Sequence, residues 1–418
     1  MRKFYGFALL FLAIVLLPFG ALKAQSFNPS QLSNLALWLR ADTLVTLNGT
    51  TVSQWGDNSG NGYNATQPVS SGQPLWVNSV KLINHKPTLK FDGGTDSLFG
   101  PFIAGSESSS LTVFIVAKSN SVTNGGGIFL KINSTNGGFW MSESGGGSQL
   151  LQFKNNGTPY NTTAALPAGY PYKIIEGVKD FGLKFIPYVN EVNATGTNPP
   201  AAIYGAFPTG TNYSLGSKFN LPFNGEIAEI IIYKAALDSA SRRSVEGYLY
   251  AKYAPPVNLG ADIVVTNSFC PVKLSGGDRF VSQVWSTGQT GDTIAVSANG
   301  TYWVTATDVF GRVSRDTITV TFPNNHLDHG NGLICKDDSI PLTTLLPNPN
   351  NYTYVWQNGA TGATLYAKTP GNYYVAVTDQ GGCTKYSDTI TLGIDSFKVT
   401  VSLGPDTTMC AGSQLGLT

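Results

Sequence analysis

Apolar residues between positions 26 and 254 come in short runs, without a helical rhythm. Segments 111–117 (LTVFIVA), 172–178, 185–189 and 227–233 are continuous or alternating, and Gly/Asn/Ser/Thr clusters such as 123–127 and 142–148 separate them. Short apolar, β-branched runs between turn-forming clusters predict strands, and a long series of them predicts an antiparallel sandwich or jelly roll. One segment departs from this. Val245, Tyr248, Leu249 and Tyr253 share a stripe at three- and four-residue spacing, Asp238 or Ser239 stands where an N-cap belongs, and Pro255-Pro256 follows. That pattern predicts one helix closed by a stiff linker.

Beyond Pro256 the chain repeats itself. Val257-Asn258-Leu259-Gly260-Ala261-Asp262 returns as Val401-Ser402-Leu403-Gly404-Pro405-Asp406, and Val284-Trp285-Ser286-Thr287-Gly288 returns as Val355-Trp356-Gln357-Asn358-Gly359. Segment 300–308 (GTYWVTATD) returns as 371–379 (GNYYVAVTD), and Asp316-Thr317-Ile318 as Asp388-Thr389-Ile390. The period is 71 residues (356 − 285 and 371 − 300). Such a unit is too long for a solenoid turn and suits a small β-sandwich pinned by its tryptophan. The units are 257–323 and 328–395, with 399–418 opening a third that is cut short, so the full protein is expected to be longer.

The start of the chain reads as an export signal, residues 1–24. Met1-Arg2-Lys3 is basic, 4–20 is apolar and uncharged, and Ala21-Leu22-Lys23-Ala24 offers a cleavage site before Gln25. A retained anchor is the rival reading, against which Pro18, Gly20 and Ala24 argue; no later segment could span a membrane. Export permits disulfides. The cysteines are Cys270, Cys335, Cys383 and Cys410, so the N-terminal part relies on its core alone. Cys335 and Cys383 share a unit and are expected to bond, closing a loop of about 50 residues worth roughly 4 kcal/mol. In the preceding unit Arg312 stands in the place of Cys383, which leaves Cys270 without a partner of its own unit.

Composition narrows the chemistry. Charged residues are 12%, with Lys+Arg 26 against Asp+Glu 25, a net charge of +1 that excludes a basic nucleic-acid binder. Hydrophobic residues at 42% supply real cores, and three histidines leave little material for acid–base or metal work.

Two resemblances follow from the motifs. Segments 35–42 (LALWLRAD) and 55–65 (WGDNSGNGYNA), then Lys86-Pro87-Thr88 and Phe91-Asp92-Gly93, with 225–233 (GEIAEIIIY) and the helix stripe, form an ordered series over about residues 33–253. This series resembles LamG-like, concanavalin A-type jelly-roll domains of secreted bacterial proteins. The later units, with Leu-Gly-x-Asp, Cys, Trp-x-x-Gly and Gly-x-Tyr-x-Val-x-x-Thr-Asp, resemble Ig-like or PKD-like repeats of Bacteroidota surface proteins. The resemblance implies an all-β chain: a jelly roll at 26–254 followed by tandem Ig-like sandwiches, secreted or held at the outer cell surface. Such proteins often leave by type IX secretion through a C-terminal signal, which the sequence given does not show.

Candidate sites are few. Laminarinase-type jelly rolls carry Glu-x-Asp-x-x-Glu, whose alternation sets two acids on one face. Here Glu226-Ile227-Ala228-Glu229 is the nearest match, and residues three apart on a regular strand face opposite ways unless a bulge intervenes. Asp57 and Asn61, in Asp57-Asn58-Ser59-Gly60-Asn61-Gly62, with Asp92 and Asp96, offer oxygen ligands for calcium; the alternative is a tight turn with Asp57 capping local amides. His326-Leu327-Asp328-His329 has too few ligands for structural zinc. Trp140, Tyr160 and Tyr172 lie near Gly/Asn/Pro-rich segments and are the candidate sugar-stacking rings, while Trp38 and Trp55 are expected in the core. Asp-Ser/Thr-apolar triplets such as Asp316-Thr317-Ile318 resemble O-glycosylation acceptors of exported Bacteroidota proteins, or simply open strands after turns. The expected function is non-catalytic binding of carbohydrate or a cell-surface or matrix protein by the jelly roll, displayed on a stalk. The alternatives are a glycoside hydrolase or lyase acting through the groove, and a purely structural surface protein.

Overall fold

The structure, a computed structural model, describes residues 27–120, 128–132, 139–143, 150–155, 158–165, 172–181, 184–194, 212–216, 222–330, 332–335 and 338–395. The expected export signal and the expected start of a third repeat lie outside these residues. Two compact units result, Met1–Pro255 with Val309–Gly311, and Pro256–Asp308 with Arg312–Thr418.

The first unit is an all-β jelly roll carrying one helix. Its central layer is antiparallel throughout. Lys173–Asp180 pairs with Leu111–Ser119, which pairs with Asn224–Tyr233, whose far edge is taken by Leu35–Arg40 and by Lys86–Asp92. Both faces of this layer are covered, and that explains the continuous apolar runs. Ile227, Ile230 and Ile232 of the last strand enter an inner core with Leu111, Val113, Ile115, Trp55 and Leu215. Ala228, Ile231 and Tyr233 enter an outer core with Trp38, Phe114, Val116 and Leu249. The inner core is closed by a second layer that runs from Leu98–Gly100 through Tyr213–Leu215, Ile128–Ile132, Phe139–Glu143 and Leu150–Asn155 to Thr158–Ala165.

The helix α1, Ser239–Tyr253, closes the outer core. Asp238 caps it, accepting from the Ser241 amide at 2.7 Å. Val245, Leu249, Tyr250 and Tyr253 are its buried side. It is the one α-helix among the described residues, and no described helix is long and apolar enough to cross a membrane.

The second unit holds both described repeats, each with its own core around Trp285 or Trp356. In the first, Gly300–Thr307 lies between Ser282–Trp285 and Val313–Thr321, and Val272–Ser275 pairs with Thr293–Val296 in a second sheet. In the other, Val375–Asp379 lies between Tyr352–Trp356 and Thr384–Tyr386, and Ile340–Thr344 pairs with Thr364–Ala367. The repeated tryptophans do the same job. Trp285 Nε1 donates to Gly291 O at 2.9 Å and Trp356 Nε1 to Gly362 O at 3.0 Å. Both acceptors sit at positive φ, 108° and 112°, where glycine is the residue that fits.

The expected Cys335–Cys383 bond is not the one formed. Cys383 bonds Cys270 of the preceding repeat, and Cys335 is free and exposed. Strand direction is the reason. Leu333–Cys335 runs parallel to Ile390–Asp395 with Cys335 opposite Asp395. Cys383 lies twelve residues upstream of Asp395 (395 − 383), ahead of Thr384–Tyr386, which pairs with Val375–Asp379 in a different sheet, and there its sulfur meets Cys270.

Candidate functional site

The outer face of the central layer concentrates the first unit's chemistry. A bulge in Asn224–Tyr233 between Ile227 and Glu229 sets two successive residues on one side. Glu226 and Glu229 therefore both face the outer core, the exception that a regular strand excludes.

Glu229 is 1% exposed and has four donors. Oε1 accepts from Trp38 Nε1 at 2.7 Å and Tyr248 OH at 2.9 Å. Oε2 accepts from Lys252 Nζ at 2.6 Å and Tyr253 OH at 2.7 Å. Lys252 also donates to Asp42 at 3.1 Å, and Asp42 takes Arg40 in a two-pronged contact at 3.0 and 3.2 Å. Burial drives the Asp42 carboxyl upward, but Arg40 and Lys252 outweigh it and hold it below the usual carboxylate range. Burial, then the Glu229 charge, pushes the Tyr248 and Tyr253 hydroxyls well up, so both stay protonated donors. With every lone pair of Glu229 engaged, the network holds α1 on the sheet and leaves that carboxylate nothing to offer a substrate.

Two more acids share this face. Glu226 accepts from the Tyr172 hydroxyl, from Thr88 Oγ1 at 2.9 Å and from Lys118 Nζ at 3.4 Å. Glu176 and Glu246 both take Arg242 Nη1, at 3.1 and 3.0 Å, and the guanidinium lies 3.8 Å from the centre of the Tyr188 ring. Burial first, then Glu246, pushes the Glu176 carboxyl up to about 9, so it is protonated at neutral pH.

Above this network a cavity of about 550 Å³ opens along α1. Ser244, Gly247 and Ala251 supply small side chains on one side of the helix; Phe27 and Tyr248 supply rings; Asn28 and Lys252 supply polar groups. A Cβ built on Gly247 would meet nothing within 4 Å. The sequence signal for this groove is a row of small residues, Ser244, Gly247 and Ala251, at three- and four-residue spacing beside the apolar stripe.

The residues expected at a site fare differently. Tyr172 is a correction: it is 1% exposed and its hydroxyl is held by Glu226, so its ring cannot stack on a sugar. It follows a Gly/Tyr/Pro stretch but belongs to the outer core with Ile174 and Phe114. Trp140 and Tyr160 lie in Phe139–Glu143 and Thr158–Ala165, with side chains outside the described residues. Trp38 and Trp55 are buried.

Asp57 and Asn61 build a turn. Asp57 accepts from the amides of Trp38 at 3.0 Å, Ser59 at 2.8 Å and Tyr63 at 3.0 Å, and from Ser59 Oγ at 2.8 Å. Asn61 turns its amide nitrogen onto Leu35 O and Ala36 O, both at 3.0 Å. Calcium at Asp57 would have to displace the four donors that hold its two oxygens, the arrangement of the tight-turn alternative. Asp92 and Asp96 hold each other's turn: the Asp92 amide donates to Asp96 Oδ2 at 3.0 Å. Burial, then the Asp92 charge, pushes the Asp96 carboxyl up to about 6. In the second unit His326 pairs with Asp388 at 3.1 Å, while Leu327 between it and His329 points into the core.

No protein-family model matches the chain, and no curated protein matches it in sequence. Among solved structures it is similar to domain 4 of AbnA, an extracellular arabinanase of Geobacillus stearothermophilus, in complex with arabinotriose, at 20% identity and a TM-score of 0.37 over 51% of this chain and 98% of that one. Trypanosoma rangeli sialidase in complex with sialic acid matches at 12% identity and a TM-score of 0.39, over 52% of this chain and 33% of that one. The binding domain of botulinum neurotoxin DC in complex with SialylT matches at 12% and 0.39, over 87% and 94%. The fold assignment stands on the strand pairing described above.

Proposed function

We propose that the first unit is a non-catalytic carbohydrate-binding module, exported and working outside the cell, and that the Ig-like repeats serve as its stalk. The observation that carries this reading is the α1 groove. It joins two aromatic rings and an amide above a small-residue floor, with the Lys252 ammonium engaged at its base, and aromatic rings pack on the apolar faces of sugars while an amide bonds their hydroxyls. Lys252 is already balanced by Glu229 and Asp42, so the groove suits a neutral glycan better than a strongly acidic one. The acids behind it are engaged by protein donors, which favours binding over hydrolysis. The export signal and a disulfide-bonded second unit favour an oxidising location.

Gly247→Leu tests the site with little risk to the fold. It fills the groove from a position with open space around it, and leucine is about 1 kcal/mol better than glycine in a helix. Binding found on a glycan array with the full chain should disappear in the variant while the thermal midpoint holds or rises. An array blank with folded protein, or binding indifferent to the substitution, overturns the assignment.

A further inference from the structure

The two repeats meet at a joint that glycan binding does not use. Phe269 comes from the first repeat's sequence, yet it is buried in the second repeat's core, its ring 5.5 Å from that of Tyr352. Ser268 Oγ and the Phe269 amide donate to Asp379 Oδ2 at 2.8 and 2.7 Å. Asp379 ends Val375–Asp379 and takes the Cys383 amide on Oδ1 at 2.9 Å. The turn between them is tight: Asp379 N donates to Cys383 O, and Gly382 sits at φ 82°. Cys270 is bonded to Cys383, and its sulfur lies 3.7 and 3.9 Å from the two Asp379 oxygens. A Cβ at Gly381 would come within 3.0 Å of that sulfur, so the turn lies directly over it. Burial drives the Asp379 carboxyl up, but the donors from Phe269, Cys383 and Ser268 outweigh it and keep it anionic at neutral pH.

We propose that this joint is an oxidation-set lock between the repeats, in which Asp379 both seats the 268–270 segment and guards the disulfide against thiol reductants. Reduction proceeds by exchange. An external thiolate attacks one sulfur and expels the other as a thiolate; a second external thiol resolves the mixed disulfide. Two external thiols become one disulfide, and the protein gains two thiols with their protons. A carboxylate beside the Cys270 sulfur raises the energy of the thiolate formed there and repels an anionic attacker. Once reduced, the segment keeps no covalent link and is held by the Phe269 plug, the Asp379 seat and two longer contacts beside them, Asn348 Nδ2 to Asn267 Oδ1 and Tyr352 OH to Thr266 O, both at 3.4 Å.

The test uses the full chain with Cys335→Ser and Cys410→Ser to prevent shuffling. Reduction rates are measured with cationic cysteamine, neutral 2-mercaptoethanol and anionic glutathione, each corrected for its own thiol pKa. The lock predicts the order cysteamine, mercaptoethanol, glutathione, with a spread that narrows in high salt. Asp379→Asn should speed all three, by about tenfold for glutathione, and compress the spread. Phe269→Ala loosens the seat without changing charge; it should speed the three equally and leave the spread intact. Hydrogen exchange after reduction should rise at 268–270 and 379–383 while both tryptophan cores stay protected. A wild-type spread insensitive to salt, Asp379→Asn rates equal to wild type, or exchange unchanged on reduction overturns the proposal.

Discussion

Removing the Glu229 charge while keeping its shape tests the central network. In Glu229→Gln the amide oxygen can still serve Trp38 and Tyr248. The amide NH₂ then faces Lys252 Nζ and Tyr253 OH, groups now at 2.6 and 2.7 Å from a carboxylate oxygen. Two donors lose their acceptor in a place where Glu229 is 1% exposed, and the Lys252 ammonium keeps Asp42 as its one carboxylate, with a long 3.5 Å contact to the Tyr248 hydroxyl. Breaking a buried ion pair from one side costs about 3–5 kcal/mol, because the surviving charge stays buried. Urea unfolding followed by tryptophan fluorescence should show the first unit's unfolding free energy falling by that amount, as a lower midpoint at unchanged slope, with the second unit's transition unmoved. Adding Lys252→Met removes the stranded ammonium and leaves Asp42 with Arg40. The double variant should therefore recover about 2 kcal/mol relative to the sum of the singles. A loss under about 1 kcal/mol, or strict additivity, would refute the reasoning, since Glu229 would then act as an ordinary surface acid.

Glu176 titrates in the opposite sense to a salt-bridged acid. Its folded value near 9 lies above its ordinary value, so its contribution is fully present below about pH 4.5 and is lost as pH rises through 9. Glu176→Gln should flatten the decline of first-unit stability between pH 5 and 9 and be the more stable form at pH 9, read from urea midpoints across that range. Cys270→Ser opens a link spanning 113 residues and should cost the second unit about 4.8 kcal/mol on the chain-entropy model, whereas exposed Cys335→Ser should stay within about 0.5 kcal/mol. The reverse order, with Cys335→Ser the costly variant, would reinstate the pairing within one repeat. Trp356→Ala should cost about 3–5 kcal/mol and leave the first unit's transition in place; a smaller loss would mean the tryptophan does not pin its core.

Much of this architecture is written locally. The apolar runs at 111–117 and 227–233 declare strands, and the structure adds only that both of their faces are buried. Asp238, the stripe to Tyr253 and Pro255 bound the helix from neighbours three or four residues apart. The Trp-x-x-Gly motifs, 71 residues apart, build the same turn twice because its geometry depends on a few adjacent dihedrals. Such features use short-range rules that one chain segment obeys by itself.

The site depended on long-range choices. Nothing in Glu226-Ile227-Ala228-Glu229 marks the extra residue that turns both acids to one side; the bulge against Leu111–Ser119 falls where the strand's other edge passes from Lys86–Asp92 to Leu35–Arg40. Tyr172 reads as a loop ring until Glu226, 54 residues away, takes its hydroxyl. Cys383 shares a repeat with Cys335, yet strand direction sends those two to opposite ends and brings Cys270 alongside instead. Hydrophobic period and turn chemistry act over a few residues and so can be read in order along the chain. Which side chains meet is decided by sheet register and strand direction, and those follow from the packing of the whole unit.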